Sequence, residues 1–257
     1  MRIRSFGALA LLCALILPIS ADRATAQSQS SEKPAQYTYV SEWGVPRAMW
    51  GDYLKGEAAD TELMKKGMAD GVITGFGSYA VLNHQEGGMT HGTWFNATSI
   101  ANLLKFLETL RNAPDATAAP LAAAKHADYI MQSHEYADHA GTFNNGILRV
   151  GRWAPRAGSS DPDGKIMKAT MVALLDKLIA DGSLHAYTID TEAIHSQPVG
   201  TTFVVIVANG PEGIDKFDAA LEASEKSNPA GWAGAIATLD EKGHTDFLAR
   251  VSVMSHK

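Results

Sequence analysis

The chain holds a single cysteine, Cys13, close to its start. Beyond it no disulfide framework, thiol nucleophile or cysteine-based metal site can be built. Basic runs are also missing: 22 Lys and Arg stand against 28 Asp and Glu, a formal net charge of −6. An acidic chain without basic clusters is mismatched to nucleic acid and to anionic membrane surfaces. No apolar run after residue 26 is long enough to cross a bilayer. Familiar catalytic signatures are absent too. There is no Gly-x-Ser-x-Gly elbow, no phosphate loop, and no Gly-x-Gly-x-x-Gly opening a helix after a strand. Gly75-Phe76-Gly77 falls inside a predicted strand, so it offers no helix N-terminus to a phosphate.

What is present begins with an export pattern. Arg2 and Arg4 precede an apolar run of about a dozen residues, Ala8 to Ile19, and Ala24-Thr25-Ala26 is a small-x-small cleavage sequence. Residues 1–26 therefore read as a signal peptide cleaved near Ala26, which places the protein in the periplasm or outside the cell. Cys13 sits within the apolar run, not at its end, which argues against a lipoprotein attachment site. Cleavage removes Arg2, Arg4, Arg23 and Asp22 and takes the net charge from −6 to −8. Residues 27–36, rich in Gln, Ser, Pro and Ala, read as a disordered spacer.

The remaining chain says much the same thing twice. Residues 69–110 align without a gap on 180–221, with 9 identities in 42 positions; unrelated segments give about 2–3 at average composition. Ala69-Asp70-Gly71 recurs as Ala180-Asp181-Gly182, His84 as His195, Phe106 as Phe217 and Leu110 as Leu221. Upstream, Trp43-Gly-Val-Pro46-Arg47 matches Trp153-Ala-Pro155-Arg156. Downstream, His126-Ala-Asp128 matches His244-Thr-Asp246. The blocks keep their order, as an internal repeat requires.

Each unit alternates period-2 and period-3.6 patterns in the order β-α-β-β-α-β. The first unit predicts strands from Tyr37, Val72, His91 and Asp128, with helices over Met49–Met68 and Ile100–Arg111. The second predicts strands from Ile147, Leu184, Thr202 and Asp246, with helices over Gly164–Ala180 and Glu212–Glu225. The fold class is thus α+β: two ferredoxin-like repeats, 37–140 and 141–257, packed sheet to sheet as a pseudo-dimeric α/β barrel. The alternative is two ferredoxin-like domains side by side, each covering its bare sheet with another chain. On this element order and duplication the chain resembles the dimeric α/β-barrel superfamily. That superfamily includes stress-responsive barrel proteins, antibiotic-biosynthesis monooxygenases and chlorite-dismutase-like haem proteins. The resemblance implies a fold; no specific motif extends it to a reaction.

A site between the sheets would be lined by one alternating set of strand residues. In the opening strands, Val40 and Val150 read as helix-facing, which turns Tyr39, Ser41 and Trp43, and their counterparts Arg149, Gly151 and Trp153, inward. The inward set of the other strands is open, because a slip of one residue reverses it. The ligand-binding candidates are Trp43, Trp153, Tyr39, Arg149, His185 and Tyr187. His185, Asp190 and Arg149 are the catalytic candidates, since a half-buried Arg beside a carboxylate binds anions or shifts a pKa. No metal site is predicted; His84, His91 and His195 are the residues that would serve one. His126 and His244, each with Asp two positions on, read as strand-entry turns.

These readings lead to an exported protein binding a small, partly aromatic molecule between its repeats, without a cofactor. The alternatives are a cofactor-free monooxygenase or isomerase, a haem-binding barrel with His185, His195 or His84 as axial ligand, and a non-catalytic interaction protein. No nucleic acid and, after signal cleavage, no membrane is expected as partner. The chain is expected to be a monomer through its internal pairing, or a homo-oligomer.

Overall fold

The computed structural model describes residues 33–113, 122–123, 125–159 and 165–257. The predicted signal peptide and most of the predicted spacer lie outside the described residues. The spacer's last residues are ordered. Lys33 Nζ donates to the Tyr136 carbonyl at 2.6 Å, the Tyr136 hydroxyl donates to the Pro34 carbonyl at 3.0 Å, and Gln36 begins the first strand.

The first half runs β1 (Gln36–Trp43), a 3-10 turn (Arg47–Met49), α1 (Trp50–Ala69), β2 (Gly75–Val81), β3 (His91–Ala97), α2 (Ile100–Arg111) and β4 (His126–Asp138). A short strand, β5 (Gly141–Phe143), leads into the second half. There follow β6 (Ile147–Pro155), α3 (Lys165–Ala180), β7 (Leu184–Ile194), β8 (Thr202–Ala208), α4 (Pro211–Ser227), α5 (Pro229–Ala237) and β9 (Leu239–His256). Helix α5 and strand β5 have no forerunner in the sequence pattern. Proline at the start of α5, capped by Asn228 Oδ1 accepting from Gly231 N–H at 3.1 Å, begins a helix of small residues too short to show a period. No helix among the described residues is long and apolar enough to cross a membrane.

All nine described strands join one antiparallel sheet in the order β2-β3-β1-β4-β7-β8-β6-β9-β5, and β2 pairs with β9 to close the eight long ones into a barrel. The two halves use the same permutation: second, third, first and fourth strand. The fourth strands are long because each serves two neighbours. β4 pairs β1 along one edge and β7 along the other. β9 pairs β6 and then β5 along one edge, and β2 along the other. Among the described residues five α-helices cover the outside, and four apolar clusters result, the smallest around Val45 and Tyr53. One lies beneath α1 and α2 around Phe76, Phe95 and Phe106; a second lies beneath α3–α5 around Leu175, Tyr187 and Phe217; a third fills part of the barrel interior around Tyr79, Leu148 and Met254.

The repeated motifs prove to be parts of the outer layer. Gly71 and Gly182 both take a left-handed conformation, with φ 74° and 75°, and end α1 and α3 alike. Trp43 and His126 face each other across β1 and β4, their rings stacked 3.6 Å apart, and the imidazole Nε2 lies 2.9 Å from Asp128. Trp153 and His244 stack at 3.5 Å, with Asp246 at 3.0 Å from Nε2. The His-x-Asp blocks are therefore strand residues that meet the Trp-Pro-Arg blocks, not strand-entry turns. Pairing puts alternate residues of neighbouring strands on one face, so two distant sequence blocks become one cluster.

Glycines inside the barrel make room for large rings. A Cβ on Gly77 would lie 2.1 Å from the Trp94 ring, and one on Gly92 would lie 2.3 Å from the Tyr79 ring. Gly77→Ala is expected to destabilise the protein by roughly 1–3 kcal/mol through overpacking and to shift Trp94 emission. Chemical denaturation followed by tryptophan fluorescence checks both; unchanged stability would mean that Trp94 moves freely aside.

Candidate functional site

A cavity of about 220 Å³ occupies the barrel interior. Its wall is mainly apolar and comes from every long strand, including Val40, Trp94, Met131, Val150, Phe203 and Phe247. The inward set of β1 is Gln36, Thr38, Val40 and Glu42; that of β6 is Leu148, Val150 and Arg152. This reverses the sequence reading of both opening strands. Val40 and Val150 line the barrel, whereas Tyr39 packs on Phe95 beneath the helices. The physical reason is that both faces of these strands are buried, so an apolar residue does not mark the helix side.

The sequence-selected residues are accordingly dispersed. Trp43 sits on the outer face in its stack with His126. Arg149 and Trp153 border a smaller groove of about 90 Å³ beneath α3–α5, together with Phe217 and Trp232. Arg149 is engaged there by Asp218 at 2.6 Å and Asp246 at 3.3 Å. His185 lies at a register shift of β7, its ring flat on Phe143 at 4.1 Å. Tyr187 contributes to the cavity wall, but its hydroxyl turns outward to donate to Asp176 at 2.6 Å. Asp190 alone of the three catalytic candidates lines the cavity. The set His185, Asp190 and Arg149 is thus not one constellation.

The histidines offered for a metal do not gather either. His84 and His195 are exposed beyond their strands. His91 is buried against Tyr53 and Trp50, hydrogen-bonded to Thr90 at 2.9 Å, and burial pushes its pKa down to about 4. Among the described residues no group of three or more His, Asp and Glu is placed to hold a metal ion.

Polar groups inside the barrel fall into two stations. At one, Glu42 accepts from the Tyr79 hydroxyl at 2.8 Å. Burial raises the Glu42 pKa, against the pull of the Tyr79 hydroxyl and the Arg152 guanidinium. Burial, then the charge of Glu42, holds the Tyr79 hydroxyl protonated well above its usual range. Arg152 also donates to Gln197 Oε1 at 3.3 Å.

The second station is a polar row with hydrogen-bonding capacity left over. Gln36 faces Ser133 across β1 and β4, and Ser133 faces Asp190 across β4 and β7. Asn96 lies opposite Thr38 on the next strand, β3. Gln36 Nε2, Asn96 Oδ1, Ser133 Oγ and Asp190 Oδ1 are all buried and have no hydrogen-bond partner. Leaving one such group unpaired costs about 1–3 kcal/mol. Four such atoms lie on adjacent strands of one barrel, although buried polar groups are usually paired. Asp190 Oδ2 accepts from Thr188 at 2.6 Å, yet burial still pushes the carboxyl up to about 6. Of these residues only Asp190 was drawn from the sequence. The signal for the others was weak: a polar residue every second position on a strand also describes a solvated face.

No protein-family model and no curated protein matches the chain. Solved structures do. A candidate monooxygenase from Fusobacterium nucleatum subsp. nucleatum matches with a TM-score of 0.62 at 8% identity, over 87% of this chain and 95% of its own. A candidate monooxygenase from Lactobacillus acidophilus NCFM matches at 0.59 and 10% identity, over 86% and 96%. A haem-binding protein from Thermus thermophilus matches at 0.50 and 12% identity, over 84% and 91%. At such identities the likeness carries architecture and not chemistry. The fold of this chain is that of the dimeric α+β-barrel proteins: a closed eight-stranded antiparallel barrel with helices outside.

Proposed function

We propose that this chain is an exported binding protein that takes a small, partly aromatic molecule into its barrel. The observation that carries this is the cavity of about 220 Å³ with an apolar wall and three unpaired buried polar groups in its lining, on Gln36, Asn96 and Asp190. A dry apolar cavity of about 150 Å³ is enough to hold benzene, so this volume suits one or two rings with a polar end. A fully packed interface without a cavity, which a purely structural interaction protein would need, is not what surrounds Asp190. The halves 37–140 and 141–257 act as two ferredoxin-like repeats that form a pseudo-dimer within one chain. Their shared strand permutation and their matched Trp–His–Asp clusters support this.

A second reading is a cofactor-free monooxygenase or isomerase. It is favoured by Asp190, a buried carboxylate whose pKa of about 6 suits a general base near neutral pH. Haem fits poorly. It needs an axial side chain, commonly an imidazole; His84 and His195 are exposed outside the cavity, and the His185 ring is covered by Phe143. His256 lines the cavity but faces Asp138 at 3.6 Å, and the space is below the roughly 300 Å³ at which drug-sized pockets begin.

Three outcomes are expected. Flat one- or two-ring compounds should quench or shift Trp94 emission and raise the melting temperature, and Val205→Trp, which fills the cavity, should abolish both. No response across a broad panel, with an unchanged variant, would end the binding reading. The second outcome concerns pH. Asp190 has a folded pKa above its unfolded value, so its contribution is full below pH ~4 and is lost as pH rises through about 6. Asp190→Asn should therefore raise stability at pH 7.5, on the order of 3 kcal/mol, and leave it unchanged at pH 4 by chemical denaturation. Equal loss at both pH values would show that the carboxylate is structurally required. Third, the protein recovered from a periplasmic fraction should have its N-terminus next to Ala26; an intact Met1 would refute cleavage.

A further inference from the structure

Three carboxylates line the barrel cavity: Glu42, Asp138 and Asp190. Glu42 has the Arg152 guanidinium and the Tyr79 hydroxyl, and Asp138 lies 3.6 Å from His256 Nδ1, an imidazole whose pKa burial lowers. No basic side chain acts on Asp190: Oδ2 accepts from the neutral Thr188 hydroxyl, Oδ1 makes no hydrogen bond, and the nearby Ser133 hydroxyl is neutral as well. Asp190 is 5% exposed, so water does not supply the missing charge. A buried carboxylate left alone is costly, and an opposite charge or strong donor is what relieves it. The other unpaired atoms of the lining are mixed, Asn96 Oδ1 an acceptor without a donor and Gln36 Nε2 a donor without an acceptor, so the carboxylate of Asp190 sets the polarity. The rings of Trp94, Tyr129, Phe203 and Phe247 form part of the same wall, and aromatic rings attract organic cations.

We propose that the ligand of this cavity is a protonated amine on a compact apolar or aromatic body, its ammonium held by Asp190 Oδ1. The proposal rests on the reading of the cavity as the ligand site. It adds the sign of the ligand's charge, which apolar walls alone leave open. The ammonium meets the carboxylate, and the body lies among Trp94, Val150, Phe203 and Val205. An anionic ligand would set like charges together at Asp190.

Three probes of nearly equal shape test this on the full-length mature chain by calorimetry at pH 7.5: 2-phenylethylamine, 2-phenylethanol and 3-phenylpropionate. The amine is expected to bind about ten- to a hundredfold more tightly than the alcohol, as a charge-assisted hydrogen bond predicts, with the propionate weakest. On wild type the amine's affinity should fall about tenfold per pH unit well below pH 6, while the alcohol's stays flat. Asp190→Asn should remove the amine's advantage and keep alcohol binding, which also reports that the variant is folded. Equal binding of amine and alcohol, or preference for the propionate, would overturn the cationic assignment and leave the cavity as a site. If none of the three binds, both the assignment and the site reading fall.

Discussion

Closure of the barrel depends on two strand pairings, β4 with β7 and β9 with β2. Neither is local in the chain. Each joins the fourth strand of one half to the second strand of the other, and each is available because that fourth strand runs well past its own half's needs. Once both pairings form, the eight strands have no free edge in the ring, and backbone groups that would otherwise demand water are satisfied inside the sheet. The cavity follows from closure, since eight strands enclose a space that side chains only just fill. Here Gly75, Gly77 and Gly92 stand where bulk would collide with His256, Trp94 and Tyr79, so the rings fill part of the space and the remainder stays open.

Apart from β4 and β9, which keep exposed residues such as His126, Asp246 and Arg250, the long strands pack their outer face under helices and line the barrel with their inner face. The outer layer carries what the two halves share: the Trp–His stacks, the left-handed Gly71 and Gly182 at helix ends, and Phe106 and Phe217 in the second helix of each half. The inner layer carries what they do not share. Glu42 occupies the place that Arg152 holds in the second half, Tyr79 that of Asp190, and Asn96 that of Val207. Shared scaffold outside and unshared chemistry inside explain why a nearly symmetric chain has an asymmetric interior, with one charged station around Glu42 and Arg152 and one unpaired row ending at Asp190.

That row is the least comfortable part of the molecule on its own. Buried polar groups usually find partners, and stability alone would favour apolar residues at Gln36, Asn96, Ser133 and Asp190. Val207, which stands in the second half where Asn96 stands in the first, is the apolar solution to the same position.

Much of the frame was legible in residue order. Periodicity located eight long strands and four of the helices, and Asp-Gly at two matched places marked helix ends because only glycine takes the left-handed turn without strain. Duplication pointed to paired sheets. The side of each strand was not legible: with both faces apolar, Val40 and Val150 carried no sign of direction, so Tyr39, Trp43, Arg149 and Trp153 were assigned inward and lie outward. Nor was proximity. Gln36, Asn96, Ser133 and Asp190 come from four segments and become neighbours only through cross-strand register. The sequence by itself determined composition, element order and the repeat, all of which depend on local spacing. Tertiary structure alone decided which face became the interior and which carboxylate was left without a partner, because burial and pairing are properties of where strands meet.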